Sequence, residues 1–185
     1  QMDNYPYYYT TPTGDLIIPE TVTNENITYT VTSIDNHAFF HCNRLTSLTI
    51  PSTITSITTG AFNGCGGLTS ISVDEGNMVY DSRENCNAII ETETNKIIVG
   101  CKNSFIPNSV TAIGRYAFNG SIELTSITIP NSVTNIDYDA FSDCDSLSSV
   151  YYLGNLTEWL SITFGNHAIP SNHSLYIDNE LVTEI

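Results

Sequence analysis

Apolar and polar positions recur along this chain in a fixed order. Leu124 to Ser146 reads LTSITIPNSVTNIDYDAFSDCDS, and Leu45 to Gly67 reads LTSLTIPSTITSITTGAFNGCGG. Both stretches are 23 residues long. They share L-T-S-[LI]-T-I-P, then a β-branched residue, Thr and Ile, then Ala-Phe and a Cys. A period of this length is the signature of a solenoid. Leu124, Ile127 and Ile129 follow L-x-x-L-x-L, and the last two alternate, so they share one face of a strand. Pro130 ends that strand because it has no N–H for a ladder bond. Val133 and Ile136 form a second inward pair on a return segment. The spacing of Ala140, Phe141 and Cys144 predicts a short helical turn. No such coil buries its own apolar side; stacked coils bury one another at the ~4.7–4.9 Å strand spacing. Phe39, Phe62, Phe118 and Phe141 then form one ladder, and Cys42, Cys65, Ser121 and Cys144 another.

Taken in order, residues 1–14 are a Tyr/Thr/Pro tail with Tyr5, Tyr7, Tyr8 and Tyr9 clustered. Those rings read as packing on the first coil, with a recognition arm as the alternative. Asp15 to Pro19 and Ile27 to Ile34 read as strands, rich in β-branched residues and flanked by turn formers. Residues 1–34 form an N-terminal cap, because a terminal coil has one neighbour only. Repeats fill 35–150. From Leu68 to Leu124 the consensus is stretched by 33 residues before it resumes at Ile106-Pro107 and VTAIGRYAF, 110–118. Within this insertion, 76–105, the apolar runs Asn87 to Ile90 and Lys96 to Val99 flank Thr92-Glu93-Thr94-Asn95 and predict a β-hairpin. A turn centred on Glu93-Thr94 sets Cys86 opposite Cys101. Residues 151–185, with Trp159 and a last hairpin around Asp178-Asn179, form a C-terminal cap. The whole chain, 1–185, reads as one domain.

Composition narrows the function. Twenty acidic residues against 5 basic ones give a net charge of −15. That disfavours nucleic acid, which is bound by Lys/Arg displacing counterions, and also disfavours anionic membranes and sulfated polysaccharides. Only 14% of residues are charged, so the surface is mostly Thr, Ser and Asn. No run of 18 apolar residues offers a transmembrane helix, so no membrane insertion is expected. The start, QMDNYPYYYTTPTG, has no basic stretch followed by an apolar one. Either the protein stays inside the cell or a leader was removed, and a polar, aromatic start with Gln before Met fits the trimmed chain better.

The repeats LTSLTIP (45–51), LTSITIP (124–130) and VTAIGRYAF (110–118), with the Ala-Phe-x-x-Cys turns, resemble those of the BspA-type leucine-rich-repeat surface proteins. The segment GNMVYDSRENCNAII…IIVGCKN (76–103) is similar to a variant repeat of that family, and WLSITFGN…LYIDNELVT to its closing segment. The resemblance covers about residues 15–185. It implies a leucine-rich-repeat solenoid, α/β and strand-dominated, with one strand, a return segment and a short helical turn per coil. It implies a secreted or cell-surface protein of a host-associated bacterium or mucosal protist. It also implies adhesion to protein, for example host matrix glycoproteins, without enzyme activity or cofactor. The chain departs from the family at Ser121, which replaces a ladder Cys, and in its small number of coils, about five.

The chemistry candidates are few. Cys42, Cys65 and Cys144 read as buried thiols acting as small apolar residues. Cys86 and Cys101 are a candidate disulfide, or remain thiols in a reducing habitat. Asp35, His37, His41 and Cys42 have metal-like spacing. The equivalents of His37 are Gly60, Tyr116 and Asp139, and those of His41 are Gly64, Gly120 and Asp143, so both read as surface histidines. Asp137, Asp139, Asp143 and Asp145 lack the calcium-loop pattern and read as a solvated acidic turn. Asn26, Asn155 and Asn172 fit the glycosylation sequon, a short pattern that arises by chance. No Ser-His-Asp order, P-loop or metal set is present, so catalytic and metal residues are expected to be none. The candidate binding site is the open strand face. By register it carries Ser47, Thr49, Ser70, Ser72, Ser126, Thr128, Ser149 and Tyr151, a flat hydroxyl strip of the kind extended solenoid sheets use for binding. A protein-binding module is the first expectation, a structural spacer or self-assembly module of a larger surface protein the second, and an enzyme, which would need a deep pocket, the third.

Overall fold

The computed structural model describes residues 11–183, so the Tyr5, Tyr7, Tyr8 and Tyr9 cluster lies outside the described residues. The first coil opens with β1 (Gly14–Ile17), carries a hairpin of β2 (Thr21–Asn24) and β3 (Ile27–Thr30), and returns on β4 (Ser33–Ile34). The second has β5 (Leu45–Ile50) and β6 (Ser56–Ile57). Then β7 (Ser70–Val73) leads into β8 (Tyr80–Asp81), β9 (Ile89–Glu91) and β10 (Lys96–Val99). Regular coils resume with β11 (Ala112–Ile113), β12 (Ser126–Ile129), β13 (Asn135–Ile136) and β14 (Ser149–Tyr152). Helix α1 (Leu156–Ser161), β15 (Thr163–Phe164), β16 (Ser174–Ile177) and β17 (Glu180–Leu181) close the stack.

The strand wall is made of two parallel sheets, β1-β5-β7 and β12-β14-β16, the second finished by antiparallel β17. The return wall is β4-β6 and the longer β8-β9-β10-β11-β13-β15. Equivalent residues pair one repeat apart: Leu48 with Ile71, Ile127 with Val150, Ile113 with Ile136. A one-residue slip would turn a whole apolar row to solvent, so burial fixes this register. The consensus Thr fixes it again. The hydroxyls of Thr55, Thr69 and Thr134 donate to the carbonyls of Thr32, Thr46 and Thr111 in the preceding coil, at 3.3, 3.0 and 3.4 Å. The ladder cysteines do the same from inside: the Cys65 thiol donates to Phe39 O (3.0 Å) and the Cys144 thiol to Phe118 O (3.1 Å). The Phe rows stack face to face, Phe39 on Phe62 at 5.0 Å and Phe118 on Phe141 at 4.8 Å.

The turns differ from the expected helical form. They are chains of tight turns, with Ala38 N–H bonded to Asp35 O, Phe40 N–H to His37 O and Cys42 N–H to Phe39 O. Left-handed residues alternate with them. His37, Gly60, Tyr116 and Asp139 have φ of 59°, 83°, 62° and 54°; His41, Gly64, Gly120 and Asp143 have 55°, 77°, 77° and 57°. A right-handed helix cannot hold such residues. The two positions whose residue types vary between repeats are therefore constant in backbone. Gly, Asp and His fill them readily, whereas an aromatic ring at Tyr116 is costly there. The predicted strand Ile27 to Ile34 is likewise broken: β3 folds back on β2, and only Ser33–Ile34 joins the return wall, against β6.

The inserted segment is a coil in its own right. The β9–β10 hairpin joins the return wall through β11, with Ile97 opposite Ile113. Its side chains alternate between two cores. Ile89, Val99 and Cys101 belong with Leu48, Ile54, Phe62 and Ile71; Cys86, Ile90 and Ile97 belong with Ile113, Phe118, Ile127 and Trp159. Arg83 clamps the insertion, donating from Nε and Nη2 to Asp81 and from Nη1 to Asn95 (2.8 Å) and Ser109 (3.2 Å). The candidate Cys86–Cys101 disulfide is not formed; both are free thiols, as are Cys42, Cys65 and Cys144. The hairpin begins in the predicted register, Lys96 opposite Glu91 and Ile97 opposite Ile90, and then slips, with Val99 opposite Ile89. That slip and the left-handed Glu84, Asn85 and Asn87 send the two sulfurs into different cores.

Two outcomes follow from this packing. Phe118→Ala should lower stability by about 3–5 kcal/mol, since a fully buried stacked ring leaves a cavity; the denaturation midpoint measures it. All 5 cysteines should titrate with a thiol reagent in denaturant without added reductant. In the native state near pH ~8 they should react slowly, because the thiolate is the reactive form.

Candidate functional site

The strand face holds its side chains by pleat alternation. On β5 and β12 the inward residues Leu48, Ile50, Ile127 and Ile129 are buried, and Ser47, Thr49, Ser126 and Thr128 point out. Register sets Ser47 beside Ser70 and Thr49 beside Ser72, then Ser126 beside Ser149 and Thr128 beside Tyr151. The structure thus brings the eight candidates together as two groups of four. They do not form one continuous strip. Between β7 and β12 the segment 102–106 is not a strand, and side-chain bonds tie it to the β7 side. Asn103 Nδ2 donates to Thr69 O (3.0 Å), and Asn87 Nδ2 donates to Asn103 O (3.4 Å). The break follows from the insertion, which sends the chain back to the strand wall out of phase.

The face also extends further than the candidates. Asp15 and Ile17 continue it beyond Ser47 and Thr49; Ser174 and Tyr176 continue it beyond Ser149 and Tyr151. These residues lie in the caps, where the consensus is too worn to give a register. Tyr151 and Tyr176 stack at 4.9 Å with their planes 20° apart. They border a groove of about 110 Å³ with Leu153 and Asp178. At the other end Asp15 Oδ1 accepts from Ser47 Oγ (2.7 Å) and Thr46 Oγ1 (3.1 Å). Those two hydroxyls hold the Asp15 carboxyl below the usual carboxylate range. Thr49 and Ser72 hydroxyls join at 3.1 Å, so part of the strip's polarity is internally paired.

Elsewhere the chemistry is structural. Desolvation pushes the Cys65 and Cys144 thiols up to about 12 and Cys86 to about 11, so none is a poised nucleophile. His37 and His41 are exposed and pack edge-on against Phe40, while Cys42 is buried beneath them. Asp139 pairs with His167 at 3.5 Å, and Asp143 accepts from Asn119. Among the described residues no three His, Cys, Asp or Glu side chains gather to hold a metal ion. The Asn155 side chain caps α1 in a reciprocal capping box with Glu158, and so is committed. No helix among the described residues is long and apolar enough to cross a membrane.

Parallel coils, a hydroxylated strand wall and turn ladders of Phe and Cys define a leucine-rich-repeat solenoid. A family model described as BspA type leucine rich repeat region matches residues 5–98 and 99–182 in 6 copies, and the chain belongs to that family. Among solved structures, the chain is similar to a leucine-rich repeat protein from Eubacterium ventriosum at 16% identity and a TM-score of 0.49, over 77% of this chain and 42% of that one. It is also similar to one from Bacteroides ovatus at 20% identity and 0.39, over 88% and 63%. The pneumococcal vaccine antigen PcpA is similar at 15% and 0.39, over 91% and 73%. This chain thus spans under half the length of the Eubacterium protein. A comparison with curated protein sequences gives no match.

The Asp15 bonds predict a pH signature. A depressed carboxyl contributes stability above the ordinary carboxylate range and loses it as pH falls through the lowered value. Replacing Ser47 and Thr46 together by Ala should move the Asp15 titration upward in an NMR pH series. An unmoved titration would show that the two hydroxyls do not set it.

Proposed function

We propose that this domain is a non-catalytic, extracellular or cell-surface binding module of adhesin type. It engages protein ligands, host matrix glycoproteins among them, through its strand face. The observation that carries the reading is the face itself. Outward side chains of neighbouring coils stand in register within each of the two sheets, and the stacked Tyr151–Tyr176 pair offers an aromatic anchor at one end. Aromatic anchors of this kind dominate protein interfaces. A net charge of −15 favours a basic partner surface.

The alternative is a spacer or self-assembly module of a larger surface protein. It draws on β1, which among the described residues pairs only with β5 and leaves its outer edge open to another strand. Light scattering over a concentration series tests it: mass that rises with concentration favours assembly.

The test of the leading reading is binding to immobilised matrix proteins and glycans at low and physiological salt. Saturable protein binding should be lost in Ser126→Lys/Thr128→Lys and weakened by Tyr176→Ala. Binding that fades with salt but ignores these changes would assign it to the acidic charge and remove the strand face as the site.

A further inference from the structure

The tetrapeptide Ala-Phe-Asn-Gly occurs twice in this chain, at 61–64 and 117–120, in the same place of two turns. Both glycines are left-handed, with φ of 77°. Both asparagines close the same tight turn, Asn63 N–H onto Gly60 O and Asn119 N–H onto Tyr116 O, at 3.1 Å. Asparagine is chemically labile, and most so before glycine, whose missing Cβ leaves the following peptide nitrogen open to react. Two copies of one sequence in one backbone form isolate what their surroundings add.

The surroundings differ because the inserted coil has no such turn. In the regular stack each turn donates to the one after it, His41 N–H to Asn63 O at 2.8 Å and Gly120 N–H to Ser142 O at 2.9 Å. The Asn119 side chain is held as well, its Nδ2 donating to Ser142 O and to Asp143 Oδ2, both at 3.2 Å. After Gly64 no equivalent turn follows, since β10 runs straight into Gly100 and Cys101. The next regular turn closes on Gly64 by contact alone, so that a Cβ on Gly120 would stand 3.0 Å from Gly64 Cα. Among the described residues, Gly64 N–H meets no acceptor and the Asn63 side-chain amide makes no hydrogen bond. Thr53 Oγ1 is the buried side-chain atom without a partner there, so the unpaired amide of half-buried Asn63 is open to water.

We propose that Asn63 is a site of spontaneous deamidation in the folded protein and that Asn119, in the same tetrapeptide, is not. The Gly64 nitrogen attacks Asn63 Cγ and closes a five-membered succinimide. Nδ2 leaves as ammonia, carrying the proton that Gly64 N–H gives up. Water then opens the ring at either carbonyl and leaves aspartate or isoaspartate; nothing is oxidised or reduced. At Asn119 the same attack must first break the bonds of Gly120 N–H and Asn119 Nδ2. The product bears on the stack. Isoaspartate lengthens the main chain by one carbon inside the turn that accepts from His41 N–H, and a carboxylate replaces a neutral amide in a chain already at −15. Conversion therefore loosens the rung that joins the first coil to the second. The Ser/Thr strand face lies outside this turn, and the reaction does not depend on binding there.

The test is incubation of the whole chain in mildly alkaline buffer, with and without denaturant, followed by peptide mapping and enzymatic labelling of isoaspartate. In denaturant the two Asn-Gly steps should convert at similar rates. In the native chain Asn63 should convert at least about tenfold faster than Asn119, the scale of one hydrogen bond that must be broken beforehand. Asn63→Gln should remove the native signal. Equal native rates, faster conversion at Asn119, or a native chain inert at both steps while both convert in denaturant would overturn the proposal. In the aged native sample the His41 amide should exchange hydrogen faster while Gly120 keeps its protection. An unchanged His41 amide in converted protein would overturn the loosening of the first coil.

Discussion

Everything in this fold depends on one constraint: each coil can hide its apolar side only against an identical row on the next. Burial then demands exact register, because sheet periodicity of two converts any slip into exposure. The chain enforces that register three times. Leu and Ile rows enforce it from within, Thr hydroxyls enforce it at the carbonyl edge, and thiols enforce it beneath the Phe ladder. The consensus Thr thus helps to set the register beside the consensus Leu.

The same lock shapes the surface. Side chains that cannot face in are displayed at fixed spacing, and most are hydroxyls able to pair along the ladder. Few cations are left to act outward. Arg83, Lys96 and Lys102 are engaged by Asp81, Glu91 and Glu123. Arg115 leans on Tyr116. The excess of carboxylates therefore sets the long-range field, while neutral polar groups make the contact surface.

The architecture was legible because it is written repeatedly. L-x-x-L-x-L, a Pro stop and Ala-Phe-x-x-Cys each state a burial direction that any copy confirms. Legibility failed where repetition did. Nothing in GRYAFNG or NHAFFHC reveals that Tyr116 and His37 are left-handed, because spacings of one, three and four also describe a helix. The hairpin around Glu93-Thr94 was visible, but its slip after Ile97 was not, since a bulge leaves no mark on alternation. That slip decided the fate of Cys86 and Cys101. In each regular coil the alternation marks which side chains point outward. The interruption of the strand face at 102–106 and its extension to Asp15, Ser174 and Tyr176 were hidden, because caps and insertions carry worn consensus.

The division of the interior by β9 and β10 has a mechanical side. In a stack where each unit touches only its neighbours, stability is a sum of local interfaces and can be lost one coil at a time. Here the row of interfaces is interrupted by a two-sided wall, apolar on both faces, pinned to its surroundings by the Arg83 fork. Tension entering from the first coil would peel the Leu48–Ile71 half and then meet a barrier belonging equally to the Ile113–Ile136 half. A domain built this way fails in two stages, keeping Tyr151 and Tyr176 in place after its opposite end has let go.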